Sequence, residues 1–246
     1  MKKMKNKSLK ILAIIPGRGG SKGIPSKNIR KLGNLPLIAH TILSAKNSKN
    51  VNRVIVSTDN DKIASISKKF GAEIPFMRPK KFSLDKSSTL DVVQHATEFL
   101  QKEENYIPDI ITILLPTCPF RPSNLIDNSI QLLKKTNATS VVSVSKAKKH
   151  AFKAFVPKNG FLKPFRKDYR KFYQRQLLPD FYHTTGAAYT FWFKTLKKYG
   201  HYYGPRMKPL ISTDNKINID VDDVFDLFIA EMTKKYWEKY LKKIKG

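Results

Sequence analysis

Four short strand-like runs, the first three each followed by a stretch of helical period, constrain this chain more than any other feature. Residues 10–16 (KILAIIP) lack the polar alternation of a strand with one wet face and read as a strand covered on both faces, the condition of a parallel sheet. Residues 53–58 (RVIVST), 109–115 (DIITILL) and 139–145 (TSVVSVS) read as further strands. Residues 36–45 place Leu37, Ile38, Ile42 and Ala45 at helical spacing. Residues 59–70, with Gly71 beyond their end, and residues 88–102 and 124–135 also read as helices. Such alternation predicts an α/β fold, a doubly wound and mostly parallel sheet, with ligands at the carboxyl ends of its strands.

The pattern lapses between Lys146 and Thr185, where Phe152, Phe155, Phe161 and Phe165 punctuate a segment interrupted by Pro157, Gly160 and Pro164. This predicts an extended or hairpin insertion over residues 146–184, inside one domain spanning 1–246. Regular structure is expected again at 186–193, as a strand, and at 224–240, as a closing helix. A hydrophobic content of 41% with 15 Phe and 10 Tyr excludes a disordered polycation. A single cysteine, Cys118, excludes a disulfide framework and a multi-cysteine zinc site, and no two of the five histidines sit at metal-ligand spacing. The net charge of +28 points to anionic partners: nucleic acid, acidic membrane or phosphates. The basic start is followed by an apolar run of only residues 11–15, too short for a signal peptide, and nothing approaches the ~20 apolar residues of a membrane span. A soluble, cytoplasmic protein without a membrane partner is expected, and the sequon at Asn137 is read as incidental.

The loop after the first run, residues 16–28 (PGRGGSKGIPSKN), carries the chemistry. Gly17, Gly19 and Gly20 would let backbone N–H groups turn toward an anion, while Arg18, Lys22 and Lys27 add positive charge and Ser21 a hydroxyl. A polyphosphate suits that equipment better than a plain surface turn does. The P-loop pattern cannot be placed here, and the dinucleotide fingerprint fails because Lys22 stands where its last glycine belongs. Acids are scarce, yet Asp220, Asp222, Asp223 and Asp226 fall within seven residues. Alternation predicts that Asp220 and Asp222 share one face of a strand end, where two hard oxygens suit Mg²⁺. The alternative is an acidic start to the last helix, which accounts for Asp223 and Asp226 better than for Asp220.

The segments IIPGRGGSKGIPSKNI, VIVSTD (54–59), PFMRP (75–79), LLPTCPFRP (114–122), TTGAAY (184–189) and INIDVDD (217–223), in this order, resemble the CMP-sugar synthetases. Among these they are most similar to the acylneuraminate (nonulosonate) cytidylyltransferases. The resemblance implies a nucleotide-diphospho-sugar transferase-like fold and a nucleotidyltransferase that joins CTP to an acidic sugar with Mg²⁺, releasing pyrophosphate. It implies that Arg18, Ser21 and Lys22 bind the triphosphate, that Lys27 neutralises charge at the α-phosphate, and that Asn28 meets the nucleotide. Arg78 would read the cytosine edge. Ser87 and Thr89 would line the base pocket, although a Ser87–Ser88–Thr89 run also suits a helix cap. Asp220 and Asp222 match the family's metal aspartates, and Leu115, Thr185 and Tyr189 fall on the acceptor side. Arg175 is implied to reach the active site from the insertion, which would also join two subunits into a homodimer; the alternative is a solvated arginine in a strongly basic segment.

Two positions depart from the family pattern: Leu115 replaces a glutamine and Thr185 an asparagine, both facing the acceptor. Losing amide donors there alters acceptor preference, so a Kdo-type or non-sugar acceptor stays open. A nucleic-acid-binding protein is the remaining alternative, disfavoured because the basic residues are spread along the chain without a recognition motif. Cys118, with no histidine nearby, is read as packing.

Overall fold

Strand β1 (Ile11–Pro16) shows why the first run lacks alternation: both of its faces are covered. Ile11, Ala13 and Ile15 pack into one cluster and Leu12 and Ile14 into another, on opposite sides of the sheet. A computed structural model describes residues 8–147, 149–172, 174, 176 and 178–245. Its six-stranded sheet has the order β10-β6-β9-β5-β1-β4, comprising Met207–Ile211 (β10), Ser140–Lys146 (β6), Tyr182–Trp192 (β9), Ile110–Ile113 (β5), β1 and Arg53–Ser57 (β4). Helices α1 (Leu37–Lys46), α2 (Asp61–Lys69) and α4 (Ser123–Lys135) supply apolar side chains to one face; α3 (Thr89–Glu104) and α5 (Phe193–Tyr199) supply the other. Each fully buried Leu or Ile in these layers contributes about 1.5–3 kcal/mol. The chain has an α/β fold built on a mixed, mostly parallel sheet.

Two expectations need correction. The strand expected at 186–193 runs from Tyr182 to Trp192 and is antiparallel to both neighbours, β5 and β6. The aspartates Asp220 and Asp222 lie on an extended segment outside the sheet, anchored where Val221 N–H donates to the Thr117 carbonyl (2.8 Å). Helix α5 and edge strand β10 were not anticipated. The insertion contains a hairpin, β7 (Phe155–Lys158) with β8 (Phe161–Pro164), and leaves the sheet between Lys146 and Tyr182, which pair across β6 and β9.

A short hairpin, β2 (Lys31–Leu32) with β3 (Leu35–Pro36), follows the first loop. Helix α6 (Val224–Lys245) closes a third apolar cluster, in which Leu227 and Ala230 meet Ile24, Leu32, Leu37 and Val221. That cluster presses the glycine loop against the aspartate segment. Elsewhere, Asp127 on α4 accepts hydrogen bonds from Ser48 Oγ (2.6 Å), Asn50 Nδ2 (2.8 Å), Asn50 N (3.0 Å) and Lys49 N (3.2 Å), tying α4 to the loop after α1. No helix among the described residues is long and apolar enough to cross a membrane.

Candidate active site

The loops at the carboxyl ends of β1 and β5, Arg78 with the start of α3, and the segment before α6 enclose a cleft of about 440 Å³. One wall is the glycine loop. Gly17 N–H donates to the Ser57 carbonyl (2.9 Å) and Gly19 N–H to Asp59 Oδ1 (2.8 Å), so these two donors are already bonded within the protein. For Gly17 and Gly19 this corrects the expectation that their N–H groups turn toward an anion. These two serve close approach instead: a Cβ on Gly17 would lie 2.8 Å from Ile38 Cδ1, and one on Gly19 would lie 2.9 Å from Asn60 Cβ. At Gly23 a Cβ would sit 2.3 Å from the Asp222 carbonyl oxygen, whereas nothing lies within 4 Å of one on Gly20. Asn28 is buried, and its Nδ2 donates to the Arg18 carbonyl (2.8 Å), holding the loop's curve.

With its backbone fixed this way, the loop presents side chains. Arg18, Ser21, Lys22, Lys27 and Asn28 all line the cleft. Lys27 Nζ reaches Asp222 Oδ1 on the opposite wall (2.9 Å). Arg18 Nη1 and Lys22 Nζ both meet Asp85, at 2.9 and 2.8 Å.

Arg78 closes the end of the cleft by β4. It is buried; Nε donates to Ser57 Oγ (3.0 Å), Nη2 to the Ser57 carbonyl and Nη1 to the Phe82 carbonyl (3.4 Å). Burial lowers its pKa to about 10, with Asp59 opposing and Arg18 reinforcing the shift, so it remains a cation at neutral pH. Ser88, between the two expected pocket residues, caps α3: its Oγ accepts from Asp91 N–H (3.1 Å) while Asp91 Oδ2 accepts from Ser88 N–H (2.8 Å). Ser87 Oγ bonds within its own loop, donating to the Lys81 carbonyl (3.2 Å) and accepting from Leu84 N–H (3.1 Å). Ser87 and Thr89 nevertheless line the cleft, so capping and lining coexist.

Asp220, Asp222, Leu115, Pro116 and Thr117 form the far wall. Desolvation, reinforced by the charge of Asp222, raises the Asp220 carboxyl above the ordinary carboxylate range, against a hydrogen bond from Thr117 and the nearby Lys27. The other two acids of the cluster cap α6: Asp226 Oδ2 accepts from Asp222 N (3.0 Å) and Asp223 N (3.1 Å), and Asp223 Oδ1 accepts from Asp226 N (2.9 Å). Two carboxylates facing cationic side chains fit a hard ion such as Mg²⁺, which takes one or two protein carboxylates and completes its shell from phosphate and water. Among the described residues no group of three or more His, Cys, Asp or Glu could hold a metal without such help.

Two described residues expected at the site are not among those lining this cleft. Thr185 is buried on β9, with its Oγ1 2.8 Å from Ser143 Oγ. Tyr189, further along β9, packs its ring against Tyr202 and Tyr203 (5.8 and 6.2 Å between centroids). Arg175 lies outside the described residues. Four others escaped the sequence reading: Asp59, Asp85, Thr117 and Arg121. Arg121 is buried behind the far wall, bonded to Thr41 Oγ (3.0 Å) and to the carbonyls of Leu115 (2.8 Å), Gly186 (3.5 Å) and Ala187. Burial lowers its pKa to about 10 and raises that of neighbouring Cys118 to about 12, so the thiol is inert. Cys118 Sγ donates to the Thr185 carbonyl (2.9 Å), a packing role as expected. Thr117 and Arg121 fall within LLPTCPFRP and Asp59 within VIVSTD, segments noted without a role for these residues, whereas Asp85 lies outside every segment singled out.

A cation-rich loop after the first strand, facing two carboxylates across a cleft at the strand ends, defines a nucleotidyltransferase type of site. The profile of the Cytidylyltransferase family matches residues 12–242, and the chain belongs to that family. It is 32% identical over 227 residues to the CMP-N,N'-diacetyllegionaminic acid synthase of Legionella pneumophila, covering 91% of this chain and 95% of that protein. It is 31% identical over 228 residues to the pseudaminic acid cytidylyltransferase of Campylobacter jejuni, covering 92% and 97%. It is also 31% identical over 224 residues to the N-acylneuraminate cytidylyltransferase of Escherichia coli, covering 90% of this chain and 51% of that one. Among solved structures, CMP:2-keto-3-deoxy-manno-octonic acid synthetase complexed with CTP has the same fold, with a TM-score of 0.65 at 16% identity, over 92% of this chain and 98% of that one.

Proposed function

We propose that the protein transfers a cytidylyl group from CTP to the anomeric hydroxyl of a nonulosonic acid, giving a CMP-sugar and pyrophosphate. The observation that carries this reading is the convergence of Arg18, Ser21, Lys22, Lys27 and Arg78 on one cleft with Asp220 and Asp222. Relatives of similar length that act on legionaminic and pseudaminic acids support the acceptor class.

In this reading Arg18, Ser21 and Lys22 hold the β- and γ-phosphates from the loop side, while Arg78 and the Ser87–Thr89 segment face the base. Lys27, held at 2.9 Å from Asp222, carries its charge to the α-phosphate and stabilises the negative charge that develops there. Asp220 and Asp222 would hold Mg²⁺, which supplies Lewis-acid polarisation of the phosphate. Leu115 gives the acceptor an apolar wall, and Arg121 fixes that wall by its bond to the Leu115 carbonyl. The insertion is read as the contact between two copies of the chain, with Arg175 approaching the site from it, and the reaction is placed in the cytoplasm.

The test is pyrophosphate release from CTP with Mg²⁺ across a panel of neuraminic, legionaminic, pseudaminic and Kdo acceptors. Turnover is expected with one of the first three. Release with none of the panel, by folded protein that binds CTP, would overturn the acceptor assignment; failure to bind CTP would overturn the whole reading.

A further inference from the structure

Asp85 stands where the mechanism above has no use for it. It lies on the loop between a short turn (Lys80–Phe82) and α3, at the mouth of the cleft. Its two oxygens go to different cations of the opposite wall: Oδ1 to Arg18 Nη1 (2.9 Å) and Oδ2 to Lys22 Nζ (2.8 Å). A bridging phosphate would engage the same two side chains in the same forked manner. The loop is held at both ends, by Arg78 Nη1 on the Phe82 carbonyl (3.4 Å) and by the Ser88–Asp91 cap. Asp85 itself is half exposed, and Lys22 is 79% exposed, so the contact opens without disturbing the core.

We propose that Asp85 is a displaceable internal counter-anion: it clasps Arg18 and Lys22 across the mouth of the cleft, yields them to an incoming polyphosphate, and reclaims them as pyrophosphate departs. This rests on the reading of Arg18 and Lys22 as triphosphate ligands. The clasp lowers affinity for every phosphate chain that uses both cations. It binds substrate and leaving group less tightly alike, and its benefit falls on release of the leaving group. It also keeps two flexible cations gathered over the cleft, so that less side-chain order is lost when the phosphates arrive.

The test is calorimetric titration of pyrophosphate and, separately, of cytidine into the wild-type protein and the Asp85→Asn and Asp85→Ala variants, at low and high salt with Mg²⁺ present. Two exposed pairs are removed, so both variants are expected to bind pyrophosphate about 2- to 30-fold more tightly at low salt. The gain should shrink at high salt, and cytidine affinity should stay unchanged. Pyrophosphate should also become a stronger product inhibitor by the same factor. Unchanged or weaker pyrophosphate binding in both folded variants would overturn the clasp while leaving the cradle intact. If neither wild type nor variants bind pyrophosphate, the cradle reading falls and the clasp with it.

Discussion

Replacing Gly23 by alanine puts a methyl group in place of a hydrogen at the point where the phosphate loop touches the aspartate segment. The new Cβ would lie 2.3 Å from the Asp222 carbonyl oxygen, 3.3 Å from its carbonyl carbon and 3.5 Å from Asp223 Cα. All three are backbone atoms, so no side chain can swing aside. An ordinary carbon–oxygen contact is more than 3 Å, and relief requires the two walls to separate by about 1 Å. Overpacking of this kind costs roughly 1–3 kcal/mol of stability, or a fall in Tm of about 2–12 °C at this chain length. Activity should suffer more, because Lys27 reaches Asp222 across this seam (2.9 Å) and a displacement of about 1 Å at a reacting site can cost on the order of 100-fold. The control is Gly20→Ala in the same loop, where nothing lies within 4 Å and φ is not positive. Thermal unfolding and initial rates of pyrophosphate release, measured on both variants, decide the matter. If Gly23→Ala keeps wild-type rates, or Gly20→Ala loses as much, the seam does not set the geometry.

Asp220→Asn and Asp222→Asn should each fold, raise the Mg²⁺ concentration needed for half-maximal rate, and lower the maximal rate by about 100-fold or more; unaltered Mg²⁺ dependence would remove both from the metal site. Arg121→Met leaves the Leu115 and Ala187 carbonyls without their donor, and should cost about 2–4 kcal/mol in urea unfolding. Asp127→Ala removes an acceptor of four hydrogen bonds. Burial alone would raise that carboxyl, but the bonds from Ser48, Asn50 and Lys49 outweigh it and hold it below the ordinary 3.8. Replacing it should cost about 2–4 kcal/mol at neutral pH, and the part of this that depends on its charge is present above 3.8 and lost as pH falls through the lower folded-state pKa. The wild-type advantage over the variant should shrink in that acid range, and an advantage independent of pH would refute the assignment.

The strand–helix alternation was legible because strands covered on both faces are rich in apolar residues, as β1 and β5 are and as β4 and β6 are apart from their small hydroxyls and a terminal Arg53 or Lys146. That same uniformity hides direction. A doubly covered strand reads alike whichever way it runs, so the reversal of β9 could not be seen. Strand β10 was missed for the opposite reason: Met207, Lys208 and Pro209 are exposed, and a proline-bearing edge strand carries no apolar run. Within the site, residues that follow strand ends in sequence meet at the cleft, so Arg18, Lys27 and Leu115 were found together. Asp85 and Asp59 were not, because each finds its partner, Arg18 or Gly19, only when two distant loops are brought side by side. Gly17 and Gly19 were noticed at the right positions and for the wrong reason: they permit contact with Ile38 and Asn60, and their N–H groups are bonded within the protein.

The reversal of β9 has an evolutionary consequence. Because β9 runs back alongside β6, the long excursion between them leaves and rejoins the sheet at one point, where Lys146 pairs with Tyr182. A crossover between parallel strands must span the sheet and has its length and handedness dictated by it; this excursion has neither constraint. It can lengthen, shrink or be exchanged with the sheet already closed across its base. Descent from a common cytidylyltransferase ancestor can therefore remodel this appendage at a different tempo from the nucleotide cleft, and Lys146 and Tyr182 mark the natural cut points for grafting it between relatives.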